Sequence, residues 1–331
     1  MPVFAEIKQQ LKGKKVLVTG GAGFIGSNIV EALLNLDAKV RVLDNLATGR
    51  ESNLEEFKSN PNFEFVNGDI RNYETCLNAL EGIDLITHQG ALGSVPRSIE
   101  FPHQTHEVNA SGFLNMLHAA KEKNIKRFVY ASSSSVYGDS TETPKLEGRE
   151  GNLLSPYAVT KQLNEKYAKV YRQLHGLETI GLRYFNVFGP KQDPNGVYAA
   201  AIPKFIDKML TGGEIIINGD GEQTRDFTYV KNAVLANLLA LTANESLAYG
   251  EAFNVACGDS FSLNTMIQII QDRLSETGHF NASCKIVFGP ARNGDIQDSL
   301  ANISKIKNLL GYEPTHLFKE GVYEYLENML G

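Results

Sequence analysis

The segment Lys15-Val-Leu-Val-Thr-Gly20-Gly-Ala-Gly23-Phe-Ile-Gly26 constrains the fold of this chain more than any other. Val16, Leu17 and Val18 form a short apolar run suited to a strand buried on both faces, as in a parallel sheet. Gly20, Gly23 and Gly26 fall where the chain reverses and enters a helix predicted over 24–36, with Ile25, Ile29, Leu33 and Leu34 apolar. Glycines at these places let the backbone approach a pyrophosphate, whose charge the free N–H groups of the helix N-terminus stabilise. The spacing is G-x-x-G-x-x-G instead of G-x-G-x-x-G, so the turn alone is a weak signal. The next strand, Lys39-Val-Arg-Val-Leu-Asp44, ends in a carboxylate 18 positions after Gly26. A carboxylate there accepts the ribose hydroxyls of NAD and repels the 2′-phosphate of NADP. Together the two signals predict a dinucleotide site that takes NAD.

A chain of 331 residues can bury a large core and is long enough for two lobes. A net charge of -6 gives no electrostatic case for nucleic acid or an anionic membrane surface, although local arginines can still dominate a cleft. Cys76, Cys257 and Cys284 lack metal-ligand spacing and cannot all pair, which points to reduced thiols. No apolar run approaches the roughly 20 residues that span a bilayer, and no signal-peptide core is evident. Phe4, Ile7 and Leu11 share one face of a short amphipathic helix. The expectation is a soluble, cytoplasmic protein with no metal, nucleic-acid or membrane partner.

Strand and helix patterns alternate through the first half. Strands are predicted over 15–19, 39–44, 63–67, 84–89, 127–133 and 179–184, and helices over 24–36, 73–80, 107–124 and 156–175. This alternation implies right-handed crossovers and a Rossmann-type, doubly wound parallel sheet with helices on both faces. Beyond about 187 the pattern loosens. Helices are expected near 200–211, 230–241, 262–274 and 317–330, with strands at 214–218 and 253–256 and a turn at 219–221. Without a repeat or a linker, a second, smaller α/β lobe has to be woven from returning segments.

Tyr157-Ala-Val-Thr-Lys161 opens the helix after the fifth strand, and the i,i+4 spacing sets a phenol and an ammonium one turn apart on one face. A phenol with a pKa near ~10 is a poor base at neutral pH. A neighbouring lysine and a bound nicotinamide cation both favour the phenolate. The pair follows a serine-rich strand end, Ala131-Ser132-Ser133-Ser134-Ser135, placed where open α/β sheets bind ligands. A hydroxyl there can hydrogen-bond a substrate hydroxyl beside the phenolate.

The chain resembles the extended short-chain dehydrogenase/reductases, and among them the nucleotide-sugar 4-epimerases. The resemblance rests on the glycine turn, Asp44-Asn45, Gly68-Asp69-Ile70, His88-Gln-Gly-Ala91, Asn109, the serine strand, Tyr157 with Lys161, and Arg183-Tyr-Phe-Asn-Val-Phe-Gly-Pro190. In the C-terminal part it rests on Gly219-Asp-Gly-Glu-Gln-Thr-Arg225-Asp-Phe and Arg292-Asn-Gly-Asp295. Ser133-Ser134-Ser135 stands where the 4,6-dehydratases of this family carry Thr-Asp-Glu, which removes the acid and base for water elimination. Gly90 replaces an alanine of the family pattern and is expected to loosen packing near the cofactor.

The resemblance implies Ser133, Tyr157 and Lys161 as catalytic residues. It implies cofactor contacts from Gly20, Gly23, Phe24, Ile25, Gly26, Asp44, Asn45, Gly49, Asp69, Ile70, Gln89, Ala91, Asn109, Tyr157, Lys161 and Tyr184. Substrate contacts are implied for Gly93, Ser94, Ser133, Ser134, Tyr157, Asn186, Gln192, Ala200, Arg225, Arg292, Asp295 and Ser299, the two arginines on a diphosphate, as paired guanidinium donors suit. Segments Gly90–Ser98 and Gln192–Ala200 resemble the UDP-N-acetylglucosamine 4-epimerases, and the small Ser299 stands where a bulky tyrosine can close the sugar pocket in the galactose enzymes. The implied substrate is a UDP-N-acetylhexose, with UDP-glucose, UDP-galactose and UDP-glucuronate as alternatives. A dinucleotide-sensing regulator would lose the Tyr/Lys pair, which is intact. An NAD-binding domain over 1–186 and 226–254, a UDP-sugar lobe over 187–225 and 255–331, and a homodimer through helices 107–124 and 156–175 complete the expectation.

Overall fold

The computed structural model describes residues 2–194, 200–290 and 297–330. Seven parallel strands form the main sheet. Six are β1 (Lys15–Thr19), β2 (Lys39–Asp44), β3 (Phe63–Asn67), β4 (Leu85–His88), β5 (Arg127–Ser133) and β6 (Glu178–Tyr184), and the seventh is Glu251–Val255. Across the sheet the order is Glu251–Val255, β6, β5, β4, β1, β2, β3. The chain therefore winds outward one way from β1 to β3 and then crosses back to β4. Leu17 of β1 pairs with Arg41 of β2 on one side and Ile86 of β4 on the other. Val16, Leu17 and Val18 are wholly buried, which is why β1 reads as a continuous apolar run and not an alternation.

One face of the sheet packs Ile29, Val30 and Leu33 of the helix Phe24–Asn35 with Ala233, Val234 and Leu238 of the helix Val230–Leu241. The chain returns to this core at Ala301, Ile303, Ile306, Leu310 and Tyr312. Ile7 and Leu11 of the N-terminal helix also join it, whereas Phe4 is exposed. The other face packs Leu17, Ile86 and Phe128 against Phe113, Met116 and Ala168. The helix Pro156–His175 is held at both ends. Ser155 accepts from the Ala158 N–H at 3.1 Å, Pro156 occupies the first turn, and Gly176 closes it in the left-handed region at φ 71°.

The predicted helix 107–124 begins instead as a π-helical turn over Glu107–Gly112 and becomes α-helical at Phe113–Glu122. In the widened turn Asn109 is buried, accepting from the Leu92 N–H at 2.7 Å and donating to the Leu92 carbonyl at 3.1 Å. That exchange ties the helix to the segment after β4.

The smaller part gathers the helices Ala201–Thr211, Leu263–Glu276 and Phe318–Leu330 around Ile202, Ile206, Ile215, Met266, Phe318 and Val322. Strand Glu214–Asn218 pairs in parallel with Lys285–Gly289, and Thr224–Arg225 lies between Phe261–Ser262 and Asp298–Ser299. Among the described residues no helix is long and apolar enough to cross a membrane, and no group of three His, Cys, Asp or Glu side chains could hold a metal.

Candidate active site

The carboxyl ends of β1, β2 and β4 to β6 open into a cleft of about 650 Å³. In open α/β sheets ligands bind where the winding direction reverses, here between β1 and β4. Gly20 has φ +67°, and a Cβ there would lie 2.7 Å from the Gly90 nitrogen. A Cβ on Gly26 would fall 2.1 Å from the Gly20 carbonyl oxygen. Only glycine permits this turn. The helix that follows starts without a side-chain cap, whereas Asn72, Ser94, Ser155 and Ser262 each cap theirs. Its first N–H groups, at Phe24, Ile25 and Gly26, are left to the cleft they line, which fits a dinucleotide's diphosphate. Gly90 does not loosen this region. Its backbone presses on Gly20, and a Cβ on it would come within 3.2 Å of the Thr19 hydroxyl oxygen.

Asp44 is buried at the end of β2, where its carboxylate accepts from the Ala22 N–H at 2.9 Å and the Leu46 N–H at 2.8 Å. Burial raises its pKa and those two donors oppose the rise. The same carboxylate therefore braces the glycine turn and faces the cleft. Farther along, Asn45 donates to Asp69 at 2.8 Å, and the Arg71 guanidinium beside it brings Asp69 down to about 2. Asp69, Ile70, Gly49 and Ala91 all line this end.

Tyr157 and Lys161 line the opposite end together with Ser132, Gly93, Ser94 and Tyr184. Burial raises the Tyr157 phenol above its ordinary value, and the Ser133 side chain works against that. Lys161 is buried and its ammonium donates to the Ala131 carbonyl at 2.9 Å, 5.8 Å from the Tyr157 ring centre. Burial brings Lys161 down to about 8. The lysine thus lies one turn from the phenol on the same helix face, with its hydrogen bond going to Ala131. His88 is kept neutral by burial and by the Lys161 charge, at about 3, with its Nδ1 on the Thr19 hydroxyl at 2.8 Å.

A second cleft of about 880 Å³ is lined by Asn186 and Arg225 and meets the first at Ala200. Asn186 sits in the left-handed region at φ 38° and donates to the Asp226 carbonyl at 2.9 Å. Arg225 is in register with Ser299 in the small sheet. Ser299, Ser133 and Ser134 line neither cleft among the described residues, although Ser133 ends β5 next to Ser132. Gln192 lines the first cleft and donates to the Val187 carbonyl at 3.3 Å. Arg292 and Asp295 lie outside the described residues.

Several site residues were not anticipated. Arg97 and Asp193 line the first cleft, and Asp193 forms an ion pair with Arg50 at its rim. Ser132 donates to Glu165 at 2.5 Å, and Glu165 holds the Arg183 guanidinium at 2.8 and 2.9 Å. Polar residues in otherwise apolar runs, such as Asn237 in Val230–Leu241, were the available signal.

The sequence profile of the NAD dependent epimerase/dehydratase family matches residues 16–256. A UDP-glucose 4-epimerase of Mycolicibacterium smegmatis is 34% identical over 315 residues, spanning 95% of this chain and 97% of that protein. The structure of a UDP-N-acetylglucosamine 4-epimerase from Methanobrevibacter ruminantium, in complex with UDP-N-acetylmuramic acid, is 38% identical with a TM-score of 0.89, covering 96% of this chain and 99% of that one. A Thermus thermophilus UDP-glucose 4-epimerase in complex with NAD is 33% identical with a TM-score of 0.82, covering 96% and 99%.

Proposed function

The chain belongs to the NAD-dependent epimerase/dehydratase family and is an NAD-binding enzyme of nucleotide sugars, and from that premise we propose that it interconverts UDP-N-acetylglucosamine and UDP-N-acetylgalactosamine by inversion at C4. The observation that carries the reading is the convergence of Tyr157, Lys161 and Ser132 of β5 on one cleft with the glycine turn and Asp44. Ser133-Ser134-Ser135 supports epimerisation over dehydration, because no carboxylic acid stands there to protonate a leaving hydroxyl. The likeness to the Methanobrevibacter enzyme and the Gly90–Ser98 segment support the acetylated substrate.

Bound NAD supplies the hydride acceptor and, once reduced, the donor. The glycine turn, the open N–H groups of Phe24 to Gly26, Asp44, Asp69 and Lys161 would hold it. Tyr157 removes the proton of the C4 hydroxyl, with Ser133 orienting that hydroxyl. The buried Lys161 adds positive charge near the phenolate and fixes the cofactor ribose. The 4-keto sugar turns within the cleft while its UDP stays anchored by Asn186, Arg225 and Arg292, and Tyr157 returns the proton on the other face. The division into an NAD domain (1–186, 226–254) and a sugar lobe (187–225, 255–331) belongs to this proposal. So does a homodimer, supported by the exposed Val159, Val170 and Leu174 on the helix Pro156–His175; sedimentation tests it.

Incubating the purified protein with each UDP-hexose and resolving products by NMR tests the activity. Interconversion of the UDP-N-acetylhexoses is expected. Turnover confined to plain or uronic UDP-hexoses would refute the substrate assignment.

A further inference from the structure

Beneath the Tyr157 end of the cleft lies a closed polar network with no part in the proton transfer above. Thr87 and Gln89 lie on and just after β4, Tyr184 ends β6, and Asn237 lies on the helix Val230–Leu241. Gln89 and Tyr184 line the cleft, whereas Thr87 and Asn237 are wholly buried away from it. Gln89 donates to Thr87 at 2.8 Å and to Asn237 Oδ1 at 3.1 Å, and Thr87 donates to the same oxygen at 2.8 Å. Asn237 donates to the Tyr184 hydroxyl at 2.7 Å and to the Ala233 carbonyl at 2.8 Å, and Tyr184 closes the ring by donating to Gln89 Oε1 at 3.0 Å.

A buried carboxamide costs stability unless its donors and acceptors are met, and a leucine at 237 would not carry that cost. Counting hydrogens shows what the network does. Thr87 and Tyr184 have one donor each, and Gln89 and Asn237 two each. All six are used within the ring or on Ala233. Gln89 and Tyr184, which line the cleft, therefore have no side-chain N–H or O–H left to give it, and what their side-chain polar atoms have to spare is lone pairs. Acceptor dipoles favour a positively charged neighbour over a neutral one.

We propose that Asn237 is a positioning residue that, acting through Tyr184 and Gln89, keeps this floor acceptor-only and so favours the cationic oxidised nicotinamide over its neutral reduced form. The inference rests on NAD binding and not on the sugar, so a failed epimerase assay leaves it standing.

The test equilibrates purified wild type, Asn237→Leu, Tyr184→Phe and the double variant with fixed mixtures of NAD⁺ and NADH. Free nucleotide is removed and the bound ratio is read by absorbance. Asn237→Leu takes away the acceptor of one Gln89 N–H, releasing that donor on the cleft-lining side chain, and should raise the bound NADH:NAD⁺ ratio roughly fivefold, the scale of one hydrogen bond. Tyr184→Phe deletes an acceptor from the floor and leaves an Asn237 N–H without its partner, so it should shift the ratio the same way, and the double variant no further than the larger single, because both break one relay. A merely structural role would weaken both forms alike. An unchanged ratio or additive shifts would overturn the proposal. Should Asn237→Leu not fold, Tyr184→Phe alone decides by the same criterion.

Discussion

The Lys161 ammonium donates to the Ala131 carbonyl of β5 at 2.9 Å, and this fixes its place beside the Tyr157 phenol without a direct bond between them. In the mechanism proposed above, the lysine acts on the phenol as a positioned charge. In the protein alone, burial dominates and holds the phenol above its ordinary value, so the proposed mechanism calls on the positive charge of the oxidised nicotinamide to favour the phenolate.

Tyr157→Phe removes only the phenolic oxygen. It should keep the fold and the bound NAD yet lose ~10²–10⁴-fold or more in kcat, the usual worth of general acid–base catalysis. Ser133→Ala should lose less, since it deletes a hydrogen bond and leaves the base. Steady-state rates beside acid-released nucleotide content check both, and a near-normal kcat for Tyr157→Phe would rule out its role as base.

Asp44→Ala deletes a buried hydrogen bond from the Ala22 N–H and a part-buried one from the Leu46 N–H, together with the proposed ribose acceptor. Each such bond is worth about 0.5–1.5 kcal/mol. The variant should have a lower Tm and bind NAD at least tenfold more weakly, as isothermal titration would show. Undiminished affinity would remove Asp44 from the cofactor site.

Asp226 should make stability pH-dependent. Its buried carboxylate accepts from the Cys257, Gly258 and Ala301 N–H groups at 3.0, 3.0 and 3.3 Å. Burial nevertheless pushes it up to about 7 from 3.8. Between these values the folded state holds a proton that the unfolded chain has lost, so this contribution falls as pH rises, by about 1.4 kcal/mol per unit. The stability of wild type relative to Asp226→Asn should therefore drop by roughly 2 kcal/mol from pH 5 to 7 in urea titrations. A difference that rises with pH would show the carboxylate to be ionised and stabilised throughout.

Ser299→Tyr tests the proposal that Ser299 lies beside the sugar. Ser299 is in register with Arg225, which lines the second cleft. A tyrosine filling the acetamido space should cost ~1–3 kcal/mol, about ten- to a hundredfold in kcat/KM for UDP-N-acetylhexoses, while sparing plain UDP-hexoses. The ratio of the two activities is the quantity to measure. An equal fall in both would mean general damage.

The parallel sheet was legible because its central strands are buried on both faces and read as apolar runs; β1, β2, β3 and β5 match their predicted limits, β3 as a part-exposed edge strand, and β4 and β6 differ by one residue at one or both ends. Asp44 was legible because a local pattern, strand then carboxylate, carries it. Strand Lys285–Gly289 was not, because Ile286, Val287 and Phe288 are exposed and their apolar run obeys no burial period. The π-turn at Glu107–Gly112 depends on Asn109 reaching Leu92, and the Thr87–Asn237 bond joins residues 150 positions apart. Neither contact leaves a local mark in sequence.

The central claim, inversion at C4 by removal and return of the same hydride, is tested most directly with UDP-N-acetylglucosamine deuterated at C4, following the label by NMR. The account predicts UDP-N-acetylgalactosamine that keeps the deuterium at C4 with no solvent hydrogen incorporated anywhere on the ring. Solvent hydrogen at C4 or C5 in the product, or loss of the label without inversion, would contradict it.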